Sequence, residues 1–171
     1  MKKLTLLSVG AVLLACLPSA QGAATATANL ANGKGENVGT ARLRETSKGV
    51  SLSLDVFNLP PGVHGFHIHA VGKCDPPDFK SAGGHFNPEG KKHGLENPEG
   101  HHAGDMQNLT VDAQGKAKVR VVVPGVTLSE GSNSLFQPQG TAIVIHADPD
   151  DMKTDPAGNA GARIACGVIT K

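Results

Sequence analysis

The hydrophobic pattern of the chain predicts short strands joined by turns. From Val50 to Val56 every second residue is apolar, and serine or aspartate stands between. A period of two is typical of a strand with one buried face and one wet face. The β-branched content of 141–147 predicts a buried strand, and 162–169 is predicted to be another. Hairpins are predicted over 25–45, around a turn at Asn32–Gly35, and over 108–123, around a turn at Asp112–Gly115.

The strand pattern stops between residues 71 and 105. This stretch is rich in Gly, Pro, Asn and Asp, and it holds Cys74 and four of the eight histidines. Loops of this length are uncommon inside a compact domain and tend to be either functional or disordered. We therefore expect a loop that is ordered by a disulfide and a metal ion.

Composition favours one all-β domain preceded by a leader. The chain of 171 residues is 39% apolar, contains 22 glycines and 11 prolines, and has no Trp or Tyr, which favours short strands over long helices. Residues 1–24 combine a basic start, an apolar run too short to span a bilayer and a small-residue tail. They predict a secretory signal peptide cleaved after Ala24, which leaves a single domain at 25–171. The alternative is a lipoprotein signal, with Cys16 as the lipidated residue.

Charge and cysteine content agree with export. Without Lys2 and Lys3, 14 basic residues face 15 acidic ones, a formal charge of −1 that gives no sign of nucleic acid or an anionic membrane as partner. The remaining cysteines, Cys74 and Cys166, predict a disulfide in an oxidising compartment. By loop entropy it would contribute about 4 kcal/mol. Two buried free thiols are the alternative.

Two groups of histidines carry the candidate chemistry. His67 and His69 project from the same face of an extended segment, whereas His64 is out of phase with both and is expected to hydrogen-bond backbone. An H-x-H pair alone is a weak metal signal, and His146 alone would more often be a core histidine. Together, these three imidazoles suit a nitrogen-rich copper site. The long loop adds a closed set of three imidazoles and one carboxylate, which suits zinc: His85, His93, His102 and Asp105.

Six motifs of the chain, in this order, resemble those of the copper/zinc superoxide dismutases. They are GFHIHAVGKC, SAGGHFNP, KHG, HHAGD, IVIHADPDD and GARIACGVI, and the resemblance covers essentially residues 30–170. It implies an all-β fold, a flattened Greek-key β-barrel of the immunoglobulin-like sandwich class, with long metal-binding and electrostatic loops. The leader, the GKCD context and a short segment before Arg163 resemble the bacterial, exported branch.

The resemblance also implies roles for individual residues. Copper would be bound by His67, His69, His85 and His146, and zinc by His85, His93, His102 and Asp105, so that His85 bridges the two metals. In HHAGD the family pattern selects the second histidine, not His101. Asp150 matches an aspartate that hydrogen-bonds one ligand of each metal. Arg163 matches the arginine beside copper, and Cys74 with Cys166 matches the intrasubunit disulfide.

The implied activity is dismutation of superoxide to dioxygen and hydrogen peroxide. Copper would cycle between Cu(II) and Cu(I), Arg163 and His85 would be catalytic, and zinc would order the loop. We expect a periplasmic or secreted enzyme that protects against superoxide outside the cytoplasm, as a monomer or a homodimer. The substrate-guiding charges of eukaryotic members have no clear counterparts here, and Lys153 or the Lys91–Lys92 pair are candidates. The alternatives are an exported copper-binding or copper-carrier domain of the same fold, and a structural protein held by zinc alone.

Overall fold

The computed structural model describes residues 23–171, so the predicted lipidation site Cys16 and most of the predicted leader lie outside the described residues. Within that range the chain forms nine strands and a single 3-10 turn at Lys80–Ala82. The strands are β1 (Thr25–Asn32), β2 (Asn37–Thr46), β3 (Gly49–Val56), β4 (Gly62–His64), β5 (Phe66–His69), β6 (Leu109–Val111), β7 (Ala117–Val123), β8 (Ala142–His146) and β9 (Arg163–Val168). The predicted all-β class is confirmed.

Seven of these strands form one antiparallel sheet that curls around the core. Its order is β5-β8-β9-β1-β2-β3-β7, and β4 and β6 form a second sheet of two strands. The alternation predicted for β3 is confirmed, because Val50, Leu52, Leu54 and Val56 are all buried. Apolar residues of β1 and β2, such as Ala28 and Leu43, are buried in the same core.

One predicted hairpin is confirmed and the other is wrong in its pairing. β1 and β2 pair along most of their length, and Gly35 donates its N–H to the carbonyl of Asn32 across the turn at 2.8 Å. The turn at Asp112–Gly115 also forms, but the strands beside it separate. β6 pairs with β4 and buries Leu109 and Val111, whereas β7 pairs with β3 along its whole length. β6 thus buries its two apolar side chains while pairing with β4, and not with β7, its neighbour in the sequence.

The long loop between β5 and β6 docks on the free edge of β5. Ile68 of β5 donates its N–H to Gly104 at 2.9 Å and accepts the N–H of Phe86 at 2.8 Å. As a result His85 lies opposite His69, and Asp105 lies opposite His67. The other edge of β5 pairs with β8. β5 is therefore the strand where the loop and the sheet meet, and its histidines lie between them.

A disulfide between Cys74 and Cys166 ties the same loop to β9. The two Cα atoms are 5.6 Å apart, and the residues are separated by 92 positions in the chain. The predicted pairing is confirmed, and the alternative of two free thiols is wrong. In residues 23–171 there is no helix long and apolar enough to cross a membrane.

Candidate metal centre

Four buried imidazoles meet at the end of β8 beside β5. One ring nitrogen of each lies within 4.8 Å of the others, and the four residues are His67, His69, His85 and His146. These are the copper ligands that the sequence implied. β5 supplies two of them because alternate residues of a strand share a face, β8 supplies the third, and the docked loop supplies the fourth.

The hydrogen bonds of these rings leave one nitrogen of each without a proton. His67 donates from Nε2 to Oδ2 of Asp150 at 2.6 Å, and its Nδ1 atom is buried with no hydrogen-bond partner. His69 donates from Nδ1 to the carbonyl of Gly83 at 2.9 Å. Its Nε2 atom then lies 3.4 Å from Nε2 of His146. Buried acceptor nitrogens that face one another without a donor fit a soft cation such as copper.

The ring of His85 faces two sites at once. Its Nδ1 atom lies 2.9 Å from Oδ1 of Asp105 and 3.4 Å from Nδ1 of His102. Its Nε2 atom is buried and has no hydrogen-bond partner among residues 23–171. One nitrogen therefore belongs to the acidic group in the loop and the other to the nitrogen-rich group. This is the geometry that a bridging imidazole needs.

The second group is built around one carboxylate oxygen. Oδ1 of Asp105 lies 3.1 Å from Nδ1 of His93 and 3.4 Å from Nδ1 of His102. Oδ2 of Asp105 accepts the backbone N–H groups of Gly94 and His102 at 2.9 and 3.0 Å, which fixes the carboxylate. The atoms of His85, His93, His102 and Asp105 lie within 4.8 Å of one another. Three nitrogens and one oxygen in a closed, buried set fit zinc.

Asp150 connects the two groups from outside. Its Oδ2 atom accepts from His67 and its Oδ1 atom accepts from Nε2 of His93 at 3.0 Å. The side-chain amide of Asn108 holds the backbone of Asp150, because its Nδ2 donates to the Asp150 carbonyl and its Oδ1 accepts the Asp150 N–H, each at 2.9 Å. Asn108 was not singled out from the sequence, since an asparagine just before a strand carries no signal of such a role.

Burial lowers the pKa values of histidines in the nitrogen-rich group. It lowers the pKa of His69 to about 2 and, against a hydrogen bond to Asp105, that of His85 to about 4. Burial likewise lowers the pKa of His146 to about 4. Burial also acts on His93, but hydrogen bonds to Asp105 and Asp150 outweigh it and raise its pKa to about 9. Neutral imidazole is the form that binds metal, so the nitrogen-rich group stays ready for copper at neutral pH.

Arg163 lies half-buried beside the copper group and is held by backbone carbonyls. Its guanidinium donates to Phe79 at 2.7 Å and to Gly83 at 2.6 Å. Gly83 also accepts from His69, so one carbonyl positions both the arginine and a candidate copper ligand. Gly83 was not singled out from the sequence, because a backbone contact leaves no mark on residue type.

A surface depression of about 420 Å³ leads to Arg163. It is lined by Asp78 and Lys80 among others, which the sequence analysis also missed. The lysines it suggested as guides are all engaged in exposed ion pairs: Lys153 with Glu96, Lys91 with Glu89, and Lys92 with Asp155. Lys80 is paired as well, with Asp78 at 3.0 Å, but it lines the depression that Arg163 also lines.

The two histidines left out of the sites behave as expected. The ring nitrogens of His64 lie 2.8 Å from the carbonyl oxygens of His146 and Pro60, which confirms its backbone-supporting role. His101 contacts only the carbonyl of His102 by hydrogen bond, at 2.7 Å, and belongs to neither group of candidate ligands.

Comparison with known proteins agrees with this site. The family model described as copper/zinc superoxide dismutase matches residues 37–169. The chain belongs to this family. It is 60% identical over 144 residues to superoxide dismutase [Cu-Zn] 1 of Aquifex aeolicus, a match that covers 83% of this chain and 85% of that protein. To superoxide dismutase [Cu-Zn] 2 of the same organism it is 56% identical over 171 residues, covering 99% of both chains.

The fold of a solved structure also matches. The crystal structure of a SOD-like protein from Bacillus subtilis superposes with a TM-score of 0.82 at 41% identity, covering 84% of this chain and 97% of that one. The predicted Greek-key architecture of the family is thereby confirmed. Members of the family use copper and zinc, and the two donor groups of this chain fit those two metals.

Proposed function

We propose that this copper/zinc superoxide dismutase converts superoxide to dioxygen and hydrogen peroxide at the centre formed by β5, β8 and the docked loop. His67, His69, His85 and His146 hold copper, and His85, His93, His102 and Asp105 hold zinc. The observation that carries the proposal is the ring of His85, whose two nitrogens face two different groups of ligands. A carrier of copper alone, or a protein held by zinc alone, has no use for such a ring.

The side chains around the metals have separate tasks in this reaction. Bound copper supplies one-electron oxidation and reduction, and bound zinc supplies a fixed positive charge beside His85. Nε2 of His85 is buried and has no hydrogen-bond partner among residues 23–171, so it is the ring atom that would bind copper and that, when copper does not occupy it, could hold a proton for the product. Asp150 holds the rings of His67 and His93 in their tautomers, because it accepts from both.

Arg163 recruits and orients the anionic substrate. Its guanidinium is permanently charged and planar, and two carbonyls hold it. The carbonyl of Gly83, shared with His69, sets its distance from the copper group. A small anion in the depression lined by Lys80 and Arg163 would meet the Arg163 guanidinium, which the Gly83 carbonyl holds next to His69.

The decisive experiment is the decay of superoxide with purified protein loaded with copper and zinc. Zinc-only protein and an Arg163→Ala variant are measured beside it, with Arg42→Ala on the outer face of β2 as matched control. We expect fast, copper-dependent decay that falls roughly tenfold in Arg163→Ala, in line with electrostatic focusing, and little in the control. If loaded protein is no faster than free copper, the copper-carrier function replaces this one, and transfer of copper to a partner is measured next.

We also propose that residues 1–24 direct export and that the enzyme acts outside the cytoplasm. Cleavage after Ala24 would leave Thr25, the first residue of β1, so the whole sheet survives processing. Mass spectrometry of the exported protein distinguishes a chain beginning at Thr25 from one lipidated at Cys16. A homodimer remains a prediction, and light scattering of the purified enzyme tests it.

A further inference from the structure

The outer face of β1, β2, β3 and β7 carries three arginines among hydroxyl groups. Strand pairing places Arg42 beside Ser53 and Ser53 beside Arg120, while Arg44 lies beside Ser51. All three arginines are exposed. We name this surface the arginine face: Arg42, Arg44 and Arg120 with Thr25, Thr27, Ser51 and Ser53. It lies on the side of the sheet opposite the core.

The positive charge of the arginine face is not neutralised within the described chain. The ion pairs found in residues 23–171 use lysines and histidines, and none uses an arginine. The acid at the edge of the face, Asp55, is already paired with Lys118 at 2.8 Å. Arg120 donates to the hydroxyl of Ser53 at 3.0 Å rather than to a carboxylate. The three arginines of this face are therefore free to interact with an anionic partner.

The chemistry of the face suits phosphate groups. Guanidinium groups bind phosphate oxygens through paired N–H donors, and the neighbouring hydroxyls add further donors. A shallow depression of about 500 Å³ runs between the three arginines and is lined by the threonines and serines of the face. No aromatic side chain is among these lining residues, whereas single-stranded nucleic acid is usually bound by stacking on aromatic rings. Exposed Val122, opposite Ser51, adds an apolar group instead.

The position of the face relative to the leader favours a membrane. Thr25 is part of the face and directly follows the proposed cleavage position. The apolar run of the leader ends at Ala15, a few residues earlier in the sequence. Before cleavage after Ala24, the chain carries this face about ten residues from that apolar run. The net charge of the chain does not reveal the arginine face, because acidic residues elsewhere cancel the positive charge of its arginines.

We propose that the arginine face docks on the phosphate headgroups of an anionic phospholipid bilayer. This contact holds the enzyme at the membrane surface and leaves the metal centre, on β5, β8 and the loop, facing away. The proposal is independent of the dismutase function, since none of its residues contacts the candidate ligands.

The test is sedimentation of the full chain with vesicles of phosphatidylcholine alone and with added phosphatidylglycerol. The variant carries Arg42→Gln, Arg44→Gln and Arg120→Gln, and the matched control loses three exposed cations elsewhere: Lys34→Gln, Lys73→Gln and Lys116→Gln. The leader is common to all three proteins, so differences between them come from the folded domain. Dismutase activity checks that each protein is folded.

We expect the arginine variant to partition onto anionic vesicles on the order of 100-fold more weakly, since each cation near such a surface contributes about fivefold. The control should lose far less, and added salt should remove the difference. Equal binding by the variant and the wild type overturns the proposal. So does an equal loss in the control, or a wild type that binds single-stranded DNA but not anionic vesicles.

Discussion

At the scale of single residues, the site depends on which nitrogen of each ring is free. Asp150 accepts from His67 and His93, and the Gly83 carbonyl accepts from His69. These contacts choose the tautomers, and so they decide which atoms point at the metals. A histidine at the right position but in the wrong tautomer would place a proton where the lone pair is needed.

Replacing Asp150 by Asn should therefore weaken both sites at once. A carboxylate offers one acceptor oxygen to each ring. The asparagine amide offers only one oxygen, because its nitrogen is a donor. We expect a loss of metal affinity or activity of about 10–100-fold, measured by metal content after dialysis against a chelator and by superoxide decay. Asp148→Asn, an exposed carboxylate two residues away, is the control. Unchanged retention of both metals in Asp150→Asn would contradict this role.

At the scale of elements, the site exists because an irregular loop docks on β5 as a strand would. Hydrogen bonds of Ile68 to Gly104 and Phe86 bring His85 and Asp105 opposite the histidines of β5. Gly104 is required for this approach, because a Cβ atom there would overlap the carbonyl oxygen of Ile68. Gly158 is required in the same way, since a Cβ atom would overlap the carboxylate of Asp150.

Gly104→Ala should push the loop off β5. We expect a loss of about 1–3 kcal/mol in the free energy of unfolding, as for other overpacked sites, together with weaker zinc retention, because Asp105 moves with its neighbour. Gly84→Ala is the matched control from the same loop, where a Cβ atom meets nothing within 4 Å. Urea unfolding and zinc content measure both effects. If the two alanine variants behave alike, close approach at Gly104 is not what docks the loop.

At the scale of the whole molecule, the disulfide and the buried titratable groups govern stability. Cys74–Cys166 joins the docked loop to β9 across 92 positions of the chain. The double variant Cys74→Ser with Cys166→Ser should lose about 4 kcal/mol in the free energy of unfolding, by loop entropy. Reduced wild-type protein should show the same loss in urea unfolding. A reduced protein as stable as the oxidised one would show that metal and loop contacts alone hold this segment.

Acid should destabilise the metal-free protein before any carboxylate of the site is protonated. The pKa values of His85 and His146 are lowered in the fold to about 4 and that of His69 to about 2, from 6.5, and burial also lowers the pKa of His67. As the pH falls below 6.5, the unfolded chain binds protons at these rings that the folded chain does not, so folding stability decreases through pH 4. His93, with its pKa raised to about 9, contributes stability that is complete below pH 6.5 and does not offset this loss.

Urea unfolding of metal-free protein at pH 7 and pH 4.5 measures this effect. We expect the lower pH to reduce the free energy of unfolding by more than about 1 kcal/mol, since one pKa unit corresponds to about 1.4 kcal/mol. His146→Gln removes one of these four groups and should make the dependence shallower. Stability that is equal at both pH values would mean that these rings titrate normally in the fold.

The sequence by itself determined the strands, the loop and the identity of the candidate ligands. A period of two is visible in β3 because its buried face is continuous, and six motifs carry the family resemblance in residue types alone. Only the tertiary structure decided that β6 pairs with β4 instead of β7, and that the Gly83 carbonyl accepts from both His69 and Arg163. It also decided that the side chain of Asn108 hydrogen-bonds the backbone of Asp150. It also gathered three arginines from two strands, β2 and β7, on one face of a chain with almost no net charge. Such features depend on backbone contacts and on strands brought together from distant positions, and neither leaves a mark on the order of residues.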